Sequence, residues 1–246
     1  MKKIALFTII DREAIFLPLW ISYYKKNISN INIFVLTRNN NIFNFNKLNN
    51  DDICVINIDD EINDPHSYLV GSHIFIKYQQ YFLKHFDVVM YADIDEFIVH
   101  ENLNGILQND FISPIVTKGI NVVHNLKDEP PLNLNEKFST QRDYIVYSEW
   151  YDKPLILNSP ISWTDGKHNF STYNNYVDGL YLIDIGKICF YLWRDLAIET
   201  MNMYSTYQKD ISIESYSEIF SNMSRPDHTM IKMDDNIKKI FSLICN

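Results

Sequence analysis

The first hundred residues alternate between short apolar runs and longer stretches of helical spacing, and this alternation restricts the fold more than any other feature. Ile4–Ile10, Ile31–Thr37, Ile53–Ile58 and Val88–Ala92 are rich in β-branched and aromatic residues, as buried strands require. Between the first two, Pro18 suits the opening turn of a helix that would carry Leu19, Trp20, Tyr23 and Tyr24. Pro65 to Phe86 has helical length, with Tyr68, Leu69, Ile76, Tyr78 and Phe82 as packing positions. Strand–helix–strand order implies parallel pairing with right-handed crossovers. The expected class is therefore α/β, a Rossmann-like, mostly parallel open sheet flanked by helices.

The later chain is less regular. Arg38 to Asn50 is Asn-rich but carries Ile42, Phe43, Phe45 and Leu48, which favours a loop or short helix packed on the sheet over a linker. Ser113 to Tyr147, with Pro130-Pro131, reads as a long loop with short strands. Tyr181 to Tyr191 is apolar and open between strand and helix. Trp193–Tyr207, Ile211–Met223 and Thr229–Leu243 read as helices, giving a helical C-terminal part. No internal repeat and no clean domain boundary is visible, so 1–246 reads as a single domain.

The chemistry concentrates at one strand end. Val88 to Ala92 runs straight into Asp93, Asp95 and Glu96 before the chain turns apolar again at Phe97-Ile98-Val99. The carboxyl edge of an open α/β sheet is where such folds bind ligands. Asp93 and Asp95 differ by the strand period, so both can point to one side. Two carboxylates that close disfavour each other's ionised form unless a cation lies between them. Hard oxygen donors suit Mg²⁺ or Mn²⁺, which then take phosphate oxygens. The plain alternative is a strand end opening into a solvated loop.

Composition sets limits. A formal net charge of −9 and a pI near 5.2 argue against a nucleic-acid footprint, but not against a nucleotide held through a metal. Cys54, Cys189 and Cys245 are odd in number and scattered, which fits a reducing, cytoplasmic setting. The apolar run after Met1-Lys2-Lys3 is interrupted by Asp11-Arg12-Glu13, so a first core strand explains it better than a signal peptide. No apolar stretch has membrane-spanning length, and any membrane association would be peripheral, at the inner face.

Three segments, taken in order, resemble the GT-A glycosyltransferases of the family-2-like and family-92-like group. Phe7-Thr8-Ile9-Ile10-Asp11-Arg12-Glu13-Ala14 with Phe16 to Tyr24 looks like that group's opening strand, acidic turn and aromatic helix. Tyr91-Ala92-Asp93-Ile94-Asp95-Glu96-Phe97 matches its metal-binding motif, trailing Glu-Phe included. Lys153-Pro154-Leu155-Ile156 and Trp163-Thr164-Asp165-Gly166-Lys167-His168 are similar to its later Lys strand and Gly-x-His element. Two departures stand out. The second strand ends Val35-Leu36-Thr37-Arg38-Asn39 without the family's acid, and the Phe-Gly element is reduced to Lys118-Gly119-Ile120-Asn121.

The resemblance implies a metal-dependent transferase moving sugar from a nucleoside diphosphate, UDP above all, to a hydroxyl of a glycan acceptor. Surface polysaccharide or lipopolysaccharide synthesis is the expected setting. Residues 1–100 would form the nucleotide-binding half, and 101–246 the acceptor half with the C-terminal helices. Asp95 would ligate Mn²⁺ or Mg²⁺ directly, Asp93 would reach metal or ribose, and His168 would be a third ligand. Asp11 and Glu13 would meet the nucleotide, and Lys153 and Lys167 the phosphates. An inverting reaction also needs a base for the acceptor hydroxyl. Glu136 is preferred, in Asn135-Glu136-Lys137-Phe138, with Glu149, Asp152 and Asp165 as alternatives. Trp150, Tyr151, Trp163 and Tyr173 could stack on sugar rings.

Two rival readings stand beside this. A haloacid-dehalogenase-type phosphatase also places D-x-D after an apolar strand, but expects Thr or Val where Phe97 stands. A non-catalytic carbohydrate-binding module would not require the intact acidic triplet.

Overall fold

The structure is a computed structural model, and it describes residues 1–10, 15–37, 53–58, 68–133, 136–147, 152–161, 175–186, 188 and 230–244. The chain divides into two compact units, Met1–Lys118 with Trp150–Leu182, and Gly119–Glu149 with Ile183–Asn246.

The first unit is built on four parallel strands, β1 (Ile4–Ile10), β2 (Ile31–Thr37), β3 (Ile53–Asn57) and β4 (Val88–Tyr91), in the spatial order β4-β1-β2-β3. Ile4 to Ile10 pair with Ile31 to Thr37 on one side, and Ile4 to Phe7 with Val88 to Tyr91 on the other. β1 is thus central, and its apolar sequence follows from burial on both faces. Helix α1 (Leu17–Asn27) links β1 to β2, and α2 (Tyr68–Phe82) precedes β4. Pro18 lies in the first turn of α1, as its fixed φ favours, and Trp20, Ile21, Tyr23 and Tyr24 form the buried face. On α2 the buried stripe is Phe75, Tyr78, Gln79 and Phe82, at helical spacing. Phe7 meets Phe75, Phe82 and Tyr91 at 5.1–5.3 Å between ring centres, an aromatic seam locking α2 onto β1 and β4.

After β4 the chain reverses into β5 (Glu96–Val99), then helix α3 (Leu103–Gln108), whose first turn is capped by Asn102 Oδ1 accepting from Gly105 N at 3.1 Å. The stretch Ser113–Tyr147, expected as a long loop with short strands, carries one strand longer than expected. It holds β6 (Ile115–Val123), nine residues long, and β7 (Tyr144–Tyr147). The β-branched residues Ile115, Val116, Thr117, Ile120, Val122 and Val123 favour the extended backbone of β6. Within the first unit, Ile115 and Thr117 pair antiparallel with β8 (Lys153–Leu157), and β8 pairs antiparallel with β4 through Val89 and Met90. The parallel block therefore continues into antiparallel strands. The ambiguous apolar segment opens as a strand, β9 (Tyr176–Asp184), paired with β5.

In the second unit, Ile120 to Val123 pair antiparallel with β7, and β7 with β10 (Met230–Lys232). The helix expected over Thr229–Leu243 thus begins later, as α4 (Asp235–Ser242). Met230–Lys232 finds strand partners, and Asp234 caps the helix by accepting from Ile237 N at 2.8 Å. Arg142 is buried and donates to the carbonyls of Ile188 (2.6 Å), Gln141 (2.7 Å) and Pro130 (3.2 Å). Glu129 accepts from the backbone N–H groups of Asp143 (2.5 Å) and Asn125 (2.8 Å), closing the 125–129 turn against β7. The helices expected at Trp193–Tyr207 and Ile211–Met223, and the Asn-rich stretch 38–50, lie outside the described residues. No described helix is long and apolar enough to cross a membrane.

Candidate functional site

The acidic triplet lies where β4 stops, and its geometry comes from a turn. Glu96 N donates to Asp93 O at 2.9 Å, so Asp93-Ile94-Asp95-Glu96 closes a four-residue reversal between β4 and β5. Asp93 and Asp95 occupy the first and third positions of that turn. The expectation that strand period two aligns them is corrected accordingly: the backbone has left the strand at Ala92. Ile94 is buried and anchors the turn in the core, while Asp93 and Asp95 are half-buried.

Glu96 faces inward. The residue is 4% exposed overall, and Oε2 accepts from Asp93 N at 3.3 Å, tying the end of the turn to its beginning. Oε1 accepts from Lys153 Nζ, which also lies 3.6 Å from Asp93 Oδ2. The other oxygen of Asp93, Oδ1, accepts from the Tyr91 hydroxyl. Burial pushes that hydroxyl well above the ordinary phenol range, and the negative charges of Asp93, Glu96 and Asp95 push it further. Tyr91 therefore stays a donor at any working pH.

Two features of the sheet bring Lys153 here. First, β8 runs antiparallel to β4, so the start of β8 lies beside the end of β4. Second, the β6–β8 ladder shifts register between Ile115–Ile156 and Thr117–Lys153, giving β8 one extra residue over that interval. Pro154 lies within the shift, and proline has no N–H to give a ladder. Such bulges re-aim a neighbouring side chain. Thr117 Oγ1 then fixes the new position by donating to Lys153 O at 3.0 Å. Lys153 is 5% exposed, an unusual burial for lysine, and one that its carboxylate partners explain.

Helix α1 holds β5 from its other end. Tyr24 Oη accepts from Ile98 N at 2.8 Å and donates to Glu96 O at 3.4 Å, while Tyr23 Oη donates to Ile98 O at 2.9 Å. The Tyr24 and Phe97 rings stack with centres 6.4 Å apart and planes 4° apart. The aromatic end of α1 thus fixes the backbone that carries Glu96.

Of the residues singled out from sequence, the structure brings Asp93, Glu96 and Lys153 together, places Asp95 in the same turn, and adds Tyr91. Glu136 lies in the second unit on an exposed turn, where Oε1 accepts from Asn133 Nδ2 at 2.8 Å. Asp152 accepts from Tyr176 Oη at 3.4 Å. Asp11, Glu13, Glu149, Asp165, Lys167 and His168 lie outside the described residues, as do Trp150, Tyr151, Trp163 and Tyr173. Among the described residues no three His, Cys, Asp or Glu side chains form a ready metal cage. The donor set of the turn is nonetheless of the right kind. Two half-buried carboxylates offer hard oxygens, and Mg²⁺ or Mn²⁺ keeps further positions for phosphate and water. Tyr91 and Tyr24 were missed. The signals available were the hydroxyl-bearing aromatics next to the motif and at the end of a helix otherwise packed on apolar residues.

Scanned against family models, the sequence matches none, and no curated protein matches it. Among solved structures, it aligns with the apo form of the glycosyltransferase GlyE from Streptococcus pneumoniae TIGR4, at 10% identity and a TM-score of 0.31. That alignment covers 92% of this chain and 44% of GlyE, so the chain spans less than half of that protein's length. A second alignment is with CMP:2-keto-3-deoxy-manno-octonic acid synthetase complexed with CTP, at 12% identity and a TM-score of 0.32. It covers 90% of this chain and 84% of the other. Similarity at that level says nothing of what this chain does.

Proposed function

We propose that the chain is a metal-dependent glycosyltransferase that moves a sugar from a nucleoside-diphosphate sugar, UDP-sugar first among them, to a hydroxyl of a glycan acceptor. The observation that carries this reading is the carboxylate turn at the carboxyl end of β4 in a parallel sheet, braced from β8 by Lys153. Surface polysaccharide or lipopolysaccharide synthesis is the proposed setting. Asp95 and Asp93 would hold Mn²⁺ or Mg²⁺, with His168 as a third ligand. When bound, the metal would supply positive charge to a leaving diphosphate.

The chain's own residues do the rest. Tyr91 orients Asp93 by donating to Oδ1, and Glu96 braces the turn through Asp93 N. The acceptor oxygen forms its bond to the anomeric carbon as the bond to the diphosphate oxygen breaks, with the electron pair leaving on the diphosphate. The acceptor's proton passes to a carboxylate base in an inverting reaction, and Glu136 is the proposed residue. Asp11 and Glu13 would contact the nucleotide, and Lys167 the phosphates.

Release of the nucleoside diphosphate from a panel of nucleotide sugars with glycan acceptors, with and without Mn²⁺, tests the reading. Metal-dependent release that Asp95→Asn abolishes supports it. Phosphate release from aryl phosphates without any sugar nucleotide would overturn it.

A further inference from the structure

Lys153 reads from sequence as a phosphate contact, yet its ammonium is buried and faces inward to Glu96 Oε1 and, at 3.6 Å, to Asp93 Oδ2. We infer that Lys153 is a positioning residue, the turn's internal counter-ion, which offsets part of the negative charge that a divalent cation at the aspartates would meet. This rests on the metal-site reading above.

Of the three carboxylates in the turn, Lys153 meets two, Glu96 and Asp93, and offsets one negative charge beside the aspartates that would meet a divalent cation. Glu96 is the acid that Lys153 neutralises most closely. With Oε1 on Lys153 and Oε2 on Asp93 N, it braces the turn and leaves the half-buried aspartates as the donors presented by the motif. The register shift at Pro154 and the bond from Thr117 place the lysine there, so its position is built into the β8 backbone. An exposed phosphate-seeking lysine would need neither.

Charge and structure make opposite forecasts. Losing a structural lysine would weaken metal binding. Losing an internal counter-ion would strengthen it, because the cluster gains a negative charge. For a unit charge and a divalent ion about 6 Å apart, even the dielectric of water gives roughly a tenfold change in affinity. Removing Glu96's charge instead should weaken binding by a similar factor, and removing both charges should restore it. Replacing a buried ion pair by neutral side chains of similar volume is commonly tolerated, so the double variant is expected to fold.

The test is calorimetric titration of the apoprotein with Mn²⁺ alone, comparing the parent with Lys153→Met, Glu96→Gln and the double variant. The expected pattern is roughly tenfold tighter binding in Lys153→Met, roughly tenfold weaker in Glu96→Gln, and parental affinity in the double variant. Should Lys153→Met fail to fold, the comparison of Glu96→Gln with the double variant carries the same test, since only a charge effect is undone by a second loss. Unchanged Mn²⁺ affinity in all three variants, with only the donor KM raised, would make Lys153 a phosphate contact and overturn the inference alone. A parent that binds no Mn²⁺ would overturn the inference and the metal-site reading together.

Discussion

Replacing Tyr24 by Phe isolates the latch between α1 and the acidic turn. The ring, with its contacts to Phe97, Trp20 and Tyr23, stays in place, and only the hydroxyl is lost. That hydroxyl is the acceptor for Ile98 N at 2.8 Å in a fully buried setting, and a buried N–H stripped of its acceptor costs about 1–3 kcal/mol. Its donation to Glu96 O is longer, at 3.4 Å, and adds little. A mid-range loss of about 2 kcal/mol corresponds to a melting temperature lower by about 4–8 °C in a chain of this size. Tyr23→Phe removes only a donor to Ile98 O, and a carbonyl has a second lone pair, so its cost should be smaller. Thermal unfolding followed by circular dichroism measures both. Mn²⁺ titration of Tyr24→Phe should show weaker binding, because β5 carries Glu96 into the turn. Equal stability of Tyr24→Phe and parent, or a larger loss in Tyr23→Phe, would refute the latch.

Asp95→Asn should abolish transfer while leaving the fold intact, since the side chain is half-buried in a turn. Activity lost together with circular dichroism would instead make Asp95 structural. His168→Ala should weaken Mn²⁺ affinity and slow turnover, with excess Mn²⁺ restoring part of the rate; equal affinity in mutant and parent would remove His168 from the site. In the second unit, burial and the charge of Arg142 hold His124 below its ordinary value of 6.5. The unfolded chain then binds the proton more readily, so stability should fall as pH drops below 6.5, and His124→Gln should flatten that part of the profile of melting temperature against pH. Asp234→Ala should cost about 1 kcal/mol through loss of the α4 cap, and no loss would deny that Ile237 N depends on it.

The parallel strands and the helices between them were legible because burial on both faces leaves uninterrupted apolar runs, while α1 and α2 keep helical periodicity. The acids at the end of β4 were legible for the same reason: a buried strand stops at charge. How they face one another was not, because that depends on the Asp93–Glu96 reversal, and a turn this compact resembles a strand in its alternation. β10 escaped because its partner, β7, is far away in sequence and offers no local signal. The inward role of Lys153 could not be read without knowing that β8 runs antiparallel to β4, which turns a lysine far along the chain into a neighbour of Asp93. The dipeptide Lys153-Pro154 at the start of an apolar run was the one local hint, since proline within a paired strand signals a bulge.

Metal-dependent binding of a nucleoside diphosphate at the β4 turn is tested most directly by thermal shift with UDP, Mn²⁺ and both together. The turn is anionic and needs a cation before it can accept a diphosphate, so UDP with Mn²⁺ should raise the melting temperature well beyond either alone, through binding linked to folding. That excess should vanish in Asp95→Asn. An equal shift by UDP in the presence of excess EDTA, or an undiminished shift in Asp95→Asn, would contradict it.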